Sequence, residues 1–326
     1  MGKNIKSIIV YILSLILGVI LLYLVFKNIS FDDFIAKAEM ADYNWVYLSI
    51  AVSLTAYFAR AYRWNLLIKP LGYEVTTWRT TSAVMIGYLV NLVLPRAGEI
   101  TRCGVLKKSD NVPMTISIGT VISERIIDVL TLLLITLSVL VLEFDKLSTF
   151  LLSLTDYINT EKLIILAIAG IVCAFICAAA TYWLLKTLQG KFRVVLNQLL
   201  EGLFSLRKIE NIKGFIIATV IMWGTYFLMG YLIFFSIPET SELGWQVGLM
   251  LLVSGGIALT IPVQGGFGTY HTIVSSMLLL YGIDNTTGVF FATLVHSAQV
   301  VGTVIIGIIG LVMTIFTQPQ SPSGRS

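Results

Sequence analysis

The sequence predicts an all-α, polytopic membrane protein with six spans and two re-entrant helical hairpins in an inverted-repeat arrangement. Hydrophobic residues make up 57% of the 326 residues and charged residues only 12%, and the mean hydropathy is +0.89. This composition is typical of integral membrane proteins. Charge-free runs such as Leu163–Leu185 and Gly214–Ile237 are long enough to cross a hydrocarbon core of roughly 30 Å. Two further apolar runs end in proline and glycine, which predicts the hairpins.

The apolar runs define the spans and a single transmembrane domain over residues 1–316. The six spans are predicted at about residues 7–26, 45–68, 117–142, 163–185, 214–237 and 289–316. The two halves of the inverted repeat are predicted at about 45–142 and 214–316. The tail at 317–326 is rich in proline and serine and is predicted to be disordered.

Each hairpin is predicted from a proline and glycines that directly follow an apolar run. The first break reads Asn-Leu-Val-Leu-Pro-Arg-Ala-Gly-Glu over residues 91–99, and the second reads Leu-Thr-Ile-Pro-Val-Gln-Gly-Gly-Phe-Gly over 259–268. Proline lacks a backbone N–H and glycine adopts left-handed dihedrals, so each segment should end a helix inside the membrane. Such breaks persist in lipid only where protein or water surrounds them. We therefore predict hairpins at about 80–110 and 245–280.

Lysine and arginine are distributed unequally between the two sides of this topology. If the first hairpin enters from the cytoplasm and the second from outside, the cytoplasmic segments contain 15 Lys and Arg and the outer segments contain 4. Positive residues concentrate on the cytoplasmic side of membrane proteins. We therefore predict a multi-pass protein of the cytoplasmic (cell) membrane with both termini in the cytoplasm.

Charged residues within the predicted spans are candidates for function. A charge at the centre of a membrane helix costs about 2.5–3.5 kcal/mol or more. Arg60 and Arg63 share one helix face near the end of the second span, where they either bind substrate or reach towards the headgroups, with Trp64 as an interfacial anchor.

A second charged group lies in the third span. Glu124 and Asp128 are four residues apart and share a face, and Arg125 can reach Asp128. The group either forms a structural ion cluster that supports the first hairpin or lines a wet cavity and handles substrate or protons.

Both hairpins offer groups that suit an anion. The first carries Arg96, Glu99 and Arg102 around a predicted helix start, whose free N–H groups favour phosphate, although Glu99 also fits a simple helix cap. The second offers a backbone nest with a histidine one turn further on, although a lone histidine on an apolar helix is more often structural. The residues of this second candidate are Gly265, Gly266, Gly268 and His271.

These groups together favour an anionic, phosphate-bearing lipid as the partner. The sequence contains no phosphate-cradling P-loop, which argues against internal ATP hydrolysis. The three cysteines show no zinc-site spacing, so we expect no metal and no cofactor. The net charge of +4 lies mostly in loops, as membrane topology requires, and does not indicate nucleic-acid binding.

At these residues the sequence resembles the flippase-like transmembrane domain of bacterial lysylphosphatidylglycerol synthases. Standalone relatives of that domain include uncharacterised membrane proteins and archaeal glycosylation proteins linked to dolichol-phosphate-mannose. The resemblance extends over roughly residues 5–316, and four segments carry it in family order. They are Arg-Ala-Tyr-Arg-Trp at 60–64, the segment from Asn91 to Arg102, Glu-Arg-Ile-Ile-Asp at 124–128, and Pro-Val-Gln-Gly-Gly-Phe-Gly at 262–268.

The resemblance implies translocation of a lipid, since no aminoacyl-transfer domain follows residue 316. The family often has a glutamate soon after the glycine segment, where this chain has His271. The leading hypothesis is therefore a flippase-like transporter that moves an anionic phosphate-bearing lipid between leaflets. The alternatives are a membrane transferase that uses a lipid-linked donor, with Glu99, Glu124 or Asp128 as base, and an ion-coupled carrier of a small anion.

Overall fold

The computed structural model describes residues 15–316 apart from 28, 95, 147, 149–196, 199 and 262. Within these residues the protein is helical and contains no β-strand. Ten α-helices have at least ten residues each: α1 (Leu15–Phe26), α2 (Phe31–Met40), α3 (Tyr43–Ile68), α4 (Thr77–Val93), α5 (Ala97–Asp110), α6 (Met114–Leu142), α7 (Ile212–Ile233), α8 (Trp245–Thr260), α9 (Thr269–Leu279) and α10 (Asn285–Phe316).

Three helical segments among the described residues are long and apolar enough to cross a membrane. They are Met114–Leu142, Ile212–Ser236 and Asn285–Phe316, which correspond to the third, fifth and sixth predicted spans. The predicted second span corresponds to α3, which is 26 residues long and contains Arg60 and Arg63. The predicted span 163–185, residues 7–14 of the first span and the tail at 317–326 lie outside the described residues.

Short polar side chains begin several of the helices. Ser30 accepts a hydrogen bond from the backbone N–H of Asp33 at the start of α2, as its capping pattern predicts. Thr76 accepts from Arg79 at the start of α4, and Asn211 accepts from Gly214 at the start of α7. These caps pair N–H groups that have no partner within the helix, which explains why the helices begin at these residues.

The two interrupted segments form helix–break–helix pairs, α4 with α5 and α8 with α9, and the two helices of each pair pack against each other. In the first pair two glycines allow the backbones to approach closely. A Cβ added to Gly98 would lie 2.0 Å from the carbonyl oxygen of Gly87. In the second pair Gly255 packs against the ring of Tyr270. Both pairs are therefore helical hairpins.

Helix α3 packs against α4, α6, α7 and α10. Helix α10 packs closely on α4, because Gly307 and Gly310 leave room for Leu89 and Met85. One apolar core is formed largely by α8, α9, α10 and Phe234, and a second surrounds Trp64 between α3, α4 and α5. The charged residues of α3, α5 and α6 lie beside this second core.

Candidate functional site

Arg60 and Arg63 of α3 are buried, and both donate to the carboxylate of Asp128 on α6. The Nη2 atom of Arg60 donates to Oδ2 of Asp128 at 2.8 Å, and Nη2 of Arg63 donates to Oδ1 of Asp128 at 2.7 Å. Both arginines lie on one face of α3, three residues apart, so both reach the same acid. The interpretation that they extend to the headgroups is therefore wrong. Trp64 is also fully buried and is not an interfacial anchor.

Glu124 is the second buried acid, and it links α6 to α5. Its Oε2 accepts a hydrogen bond from Nη2 of Arg102 at 2.6 Å, and its Oε1 lies 3.5 Å from Nη2 of Arg63. Arg63 thus contacts both acids, as expected for carboxylates four residues apart on one helix face. The guanidinium of Arg102 also lies over the ring of Trp64 at 4.4 Å. This indole donates to the hydroxyl of Thr120 at 2.9 Å.

The pair of Arg125 and Glu99 forms the more accessible edge of this group. Nη2 of Arg125 donates to Oε1 of Glu99 at 2.8 Å, and its Nη1 lies 3.6 Å from Oδ2 of Asp128. Their side chains are 44% and 27% exposed. Arg125 reaches Asp128 as predicted, but Arg60, Arg63 and Arg102 are closer partners of the two buried acids.

These seven side chains form one network, which we call the ion cluster. It consists of Arg60, Arg63, Arg102, Arg125, Glu99, Glu124 and Asp128. The alternative of a structural ion cluster is therefore supported for the buried members. The four arginines and three carboxylates of the ion cluster give it a formal net charge of +1. Its buried part, Arg60, Arg63 and Arg102 with Glu124 and Asp128, also has a formal net charge of +1.

The buried arginines of the ion cluster keep unused hydrogen-bond donors. Nε and Nη1 of Arg60, Arg63 and Arg102 are buried and have no hydrogen-bond partner among the described residues. A buried donor without a partner costs about 1–3 kcal/mol, and more when it is charged. A net positive cluster with six such donors is therefore suited to bind an anion or ordered water.

Two of the backbone N–H groups at the start of α5 have partners within the first hairpin. The side-chain oxygen of Asn91 accepts a hydrogen bond from the backbone N–H of Gly98 at 2.7 Å, and the carbonyl of Leu94 accepts from Ala97 at 3.1 Å. The Nδ2 of Asn91 also lies 3.4 Å from Glu99. Asn91 and Leu94 therefore each bind one of the N–H groups that were predicted to favour phosphate, and no spacing rule pointed to Asn91.

The breaks of the two hairpins contact each other. The Nε2 of Gln264 donates to the carbonyl of Val93 at 2.7 Å, and Nη2 of Arg96 lies 3.4 Å from the carbonyl of Thr260. Arg96 has a left-handed backbone conformation with φ of 66°. The three arginines Arg96, Arg102 and Arg125 do not share one partner, since each contacts a different group.

The second break is shaped by glycines and covered by α1. The φ angles of Gly265, Gly266 and Gly268 are 59°, 74° and 81°, a region that favours glycine. A Cβ at Gly268 would lie 2.5 Å from Leu21 of α1. The Nε2 of His296 lies 2.8 Å from the carbonyl of Gly265 and donates to it, since a carbonyl only accepts.

His271 lies next to this turn and is buried. Its ring lies edge-on to that of His296 at 5.1 Å and is also close to Phe26. The structure therefore surrounds His271 with aromatic side chains and places it apart from the salt bridges of the ion cluster.

Residues 11–307 match the family described as the lysylphosphatidylglycerol synthase TM region. A UPF0104 membrane protein of Pyrococcus horikoshii is 24% identical over 310 residues, covering 85% of this chain and 89% of that protein. One of Methanocaldococcus jannaschii is 25% identical over 283 residues, covering 80% and 82%. The glycosyltransferase AglD of Haloferax volcanii is 29% identical over 120 residues, covering 36% of this chain and 19% of that protein.

No solved structure matches the chain significantly. The family match covers nearly the whole helical region, and the relatives matched along most of their length are membrane proteins. The chain is therefore an integral membrane protein that belongs to the lysylphosphatidylglycerol synthase transmembrane-region family.

Proposed function

We propose that this protein is a flippase-like transporter that moves an anionic, phosphate-bearing lipid between the leaflets of the cytoplasmic membrane. The observation that carries the proposal is the ion cluster, with its net charge of +1 and six guanidinium nitrogens that have no partner among the described residues. Arginine presents a planar fork of donors that matches phosphate. A phosphate group would both neutralise the charge and use the donors.

The arrangement of the hairpins supports transport. The breaks of α4–α5 and α8–α9 contact each other through Gln264 and Arg96, so a short polar region lies where the two hairpins meet. Glu99 at the start of α5 pairs with Arg125, which connects this region to the ion cluster. In our proposal the headgroup passes along these groups while the acyl chains stay in the bilayer.

The proposal includes six spans, two re-entrant hairpins and cytoplasmic termini, within one domain over residues 1–316. Single cysteines introduced at Asp32 and Lys208, in a background without native cysteines, test this topology. A membrane-impermeant thiol reagent should label the first from outside and the second only after permeabilisation. The opposite pattern would refute the orientation.

The transport proposal is tested with purified protein in vesicles that contain phosphatidylglycerol with a fluorescent acyl chain. The wild-type protein should accelerate quenching of the inner-leaflet probe by dithionite, and the recovered lipid should be chemically unchanged. Arg125→Gln should reduce the rate about tenfold, because a hydrogen bond to a charged group contributes about 1.5–3 kcal/mol. Lys146→Gln is the matched control, since Lys146 is similarly exposed and also pairs with an acid three residues away, Glu143. A wild-type rate equal to that of protein-free vesicles would refute the proposal.

The second candidate is a transferase that uses a lipid-linked donor. The similarity to the Haloferax volcanii glycosyltransferase favours it, since part of the chain resembles part of a protein with that name. In this case the ion cluster would hold the phosphate of the donor, and a carboxylate such as Glu99 would act as base. Consumption of a polyprenyl-phosphate-linked sugar by the reconstituted protein, with release of the polyprenyl phosphate, would support this candidate over transport.

A further inference from the structure

Two tyrosines lie beside Arg60 at the edge of the ion cluster. The hydroxyl groups of Tyr88 on α4 and Tyr226 on α7 are 3.2 Å apart. The guanidinium carbon of Arg60 lies 5.8 Å from the centre of the Tyr88 ring, and Tyr226 joins this group through its hydroxyl contact with Tyr88. Three different helices therefore bring one guanidinium and two hydroxyls together.

Arg60 is the buried arginine of the ion cluster that lies beside the ring of the partly buried Tyr88. Arg102 lies over Trp64, which is fully buried, and Arg63 is fully buried near the ring of Phe215. Tyr88 and Tyr226 are instead only partly buried. The unused Nε and Nη1 donors of Arg60 lie in this neighbourhood.

The two hydroxyls add donors to those of Arg60. In the hydroxyl–hydroxyl hydrogen bond one tyrosine donates, and the other keeps its own proton for a further acceptor. The indole N–H of Trp223, whose ring packs edge-on against Tyr226 at 5.9 Å, is also buried without a partner among the described residues. The wall formed by these rings therefore has more donors than acceptors, which favours an anionic oxygen.

We propose that Tyr88, Tyr226 and Arg60 form a subsite for the non-bridging oxygens of a singly charged phosphodiester. This subsite rests on the proposed lipid transport, and it specifies which kind of phosphate the site accepts. One negative charge neutralises the net charge of +1 in the ion cluster. A dianionic phosphomonoester or a diphosphate would leave at least one uncompensated negative charge in a buried region, which is unfavourable.

A phosphodiester occurs both in phospholipid headgroups and in free glycerophosphodiesters, and binding measurements distinguish these sources. The protein in lipid nanodiscs is titrated with phosphatidylglycerol, with glycerophosphoglycerol as the same headgroup without acyl chains, and with phosphatidic acid as a phosphomonoester. The pH is set above the second phosphate pKa of about 6, so that the monoester is largely dianionic. Binding is followed by native mass spectrometry and by competition with fluorescent phosphatidylglycerol.

Phosphatidylglycerol should bind at least about tenfold more tightly than phosphatidic acid. Binding of glycerophosphoglycerol alone would show that the headgroup suffices, and competition only by the lipid would show that acyl chains are also needed. Tyr88→Phe and Tyr226→Phe should each weaken phosphatidylglycerol binding about tenfold, because each removes a hydroxyl that donates to a charged oxygen while keeping the ring. Tyr231→Phe on the same helix is the control and should bind like the wild type.

Equal binding of the diester and the monoester, or unchanged binding in both phenylalanine variants, would overturn the subsite. Separate measurement of leaflet exchange distinguishes this failure from failure of the proposed function. Tyrosine-dependent binding of phosphodiester without any leaflet exchange would support the subsite and refute transport. Rapid exchange that both phenylalanine variants retain would support transport and refute the subsite.

Discussion

Replacing Glu124 with glutamine should strongly destabilise the protein. The side chain of Glu124 is fully buried and accepts a hydrogen bond from Arg102 at 2.6 Å, with Arg63 at 3.5 Å. Glutamine keeps the shape but removes the negative charge, so the formal charge of the ion cluster rises from +1 to +2. Removal of one partner from a buried ion pair costs about 3–5 kcal/mol, and we expect a loss of stability of this size.

Glu99→Gln in the same ion cluster is the matched control. Its partner Arg125 is 44% exposed, so water replaces and screens much of the interaction. Exposed ion pairs contribute about 0–1 kcal/mol, and the control should therefore lose little stability. Both variants are compared with the wild type by thermal unfolding in one detergent at one heating rate, because the apparent midpoint depends on the rate when unfolding is irreversible.

A double variant separates charge from packing in this experiment. Glu124→Leu alone should be more damaging than Glu124→Leu combined with Arg102→Leu, because the second change returns the net charge to +1. Similar unfolding midpoints for Glu124→Gln and Glu99→Gln, or no recovery in the double variant, would refute the argument that the buried charge balance stabilises the fold.

Three further predictions follow from contacts outside the buried arginines. Gly98→Ala should lower the free energy of unfolding by about 1–3 kcal/mol. The new Cβ would lie 2.0 Å from a carbonyl oxygen of α4, so α4 and α5 would have to move apart. Gly268→Ala should also destabilise, because its φ is 81° and the new Cβ would lie 2.5 Å from α1. The hydrogen bond from Lys37 lowers the pKa of Glu239, so this pair should stabilise the fold at neutral pH and lose that contribution as the pH falls through the lowered pKa.

The same unfolding assay checks these predictions. Gly104→Ala is the control for Gly98→Ala, since it lies on the same helix and its Cβ would meet no atom within 4 Å. An equal effect of both would contradict the close-packing argument. For the Lys37–Glu239 pair, the acid-dependent loss should be under about 1 kcal/mol, because the Glu239 carboxylate is 42% exposed. This acid-dependent loss of stability should vanish in Glu239→Gln. A pH profile of stability in that variant equal to that of the wild type would refute the contribution of the pair.

Much of the helical arrangement could be predicted from local patterns. Apolar runs located α6, α7 and α10, and a proline with glycines located the breaks that separate α4 from α5 and α8 from α9. These features depend on residues that are close in sequence, and the physical rule that links them to structure acts locally.

The roles of the charged residues could be predicted only in part. Helical spacing correctly placed Glu124 and Asp128 on one face, but it left open whether Arg60 and Arg63 reach water or pair within the protein. That choice depends on how α3 packs against α6, at a sequence separation of more than 60 residues. For the same reason, no sequence pattern predicted the contact of Asn91 with Gly98 or that of Tyr88 with Tyr226.

The sequence by itself determined that this chain is a helical membrane protein, where its helices break, and which charged residues require partners. These properties follow from the free-energy cost of placing charges and unpaired backbone groups in lipid. That cost depends on the residues of each segment and not on its partners. Only the tertiary structure decided which arginine binds which acid and that Arg60 lies beside two tyrosines. It also decided that Asn91 accepts the hydrogen bond of Gly98 at the start of α5. Those outcomes depend on distances of about 3 Å between helices, which local spacing does not specify.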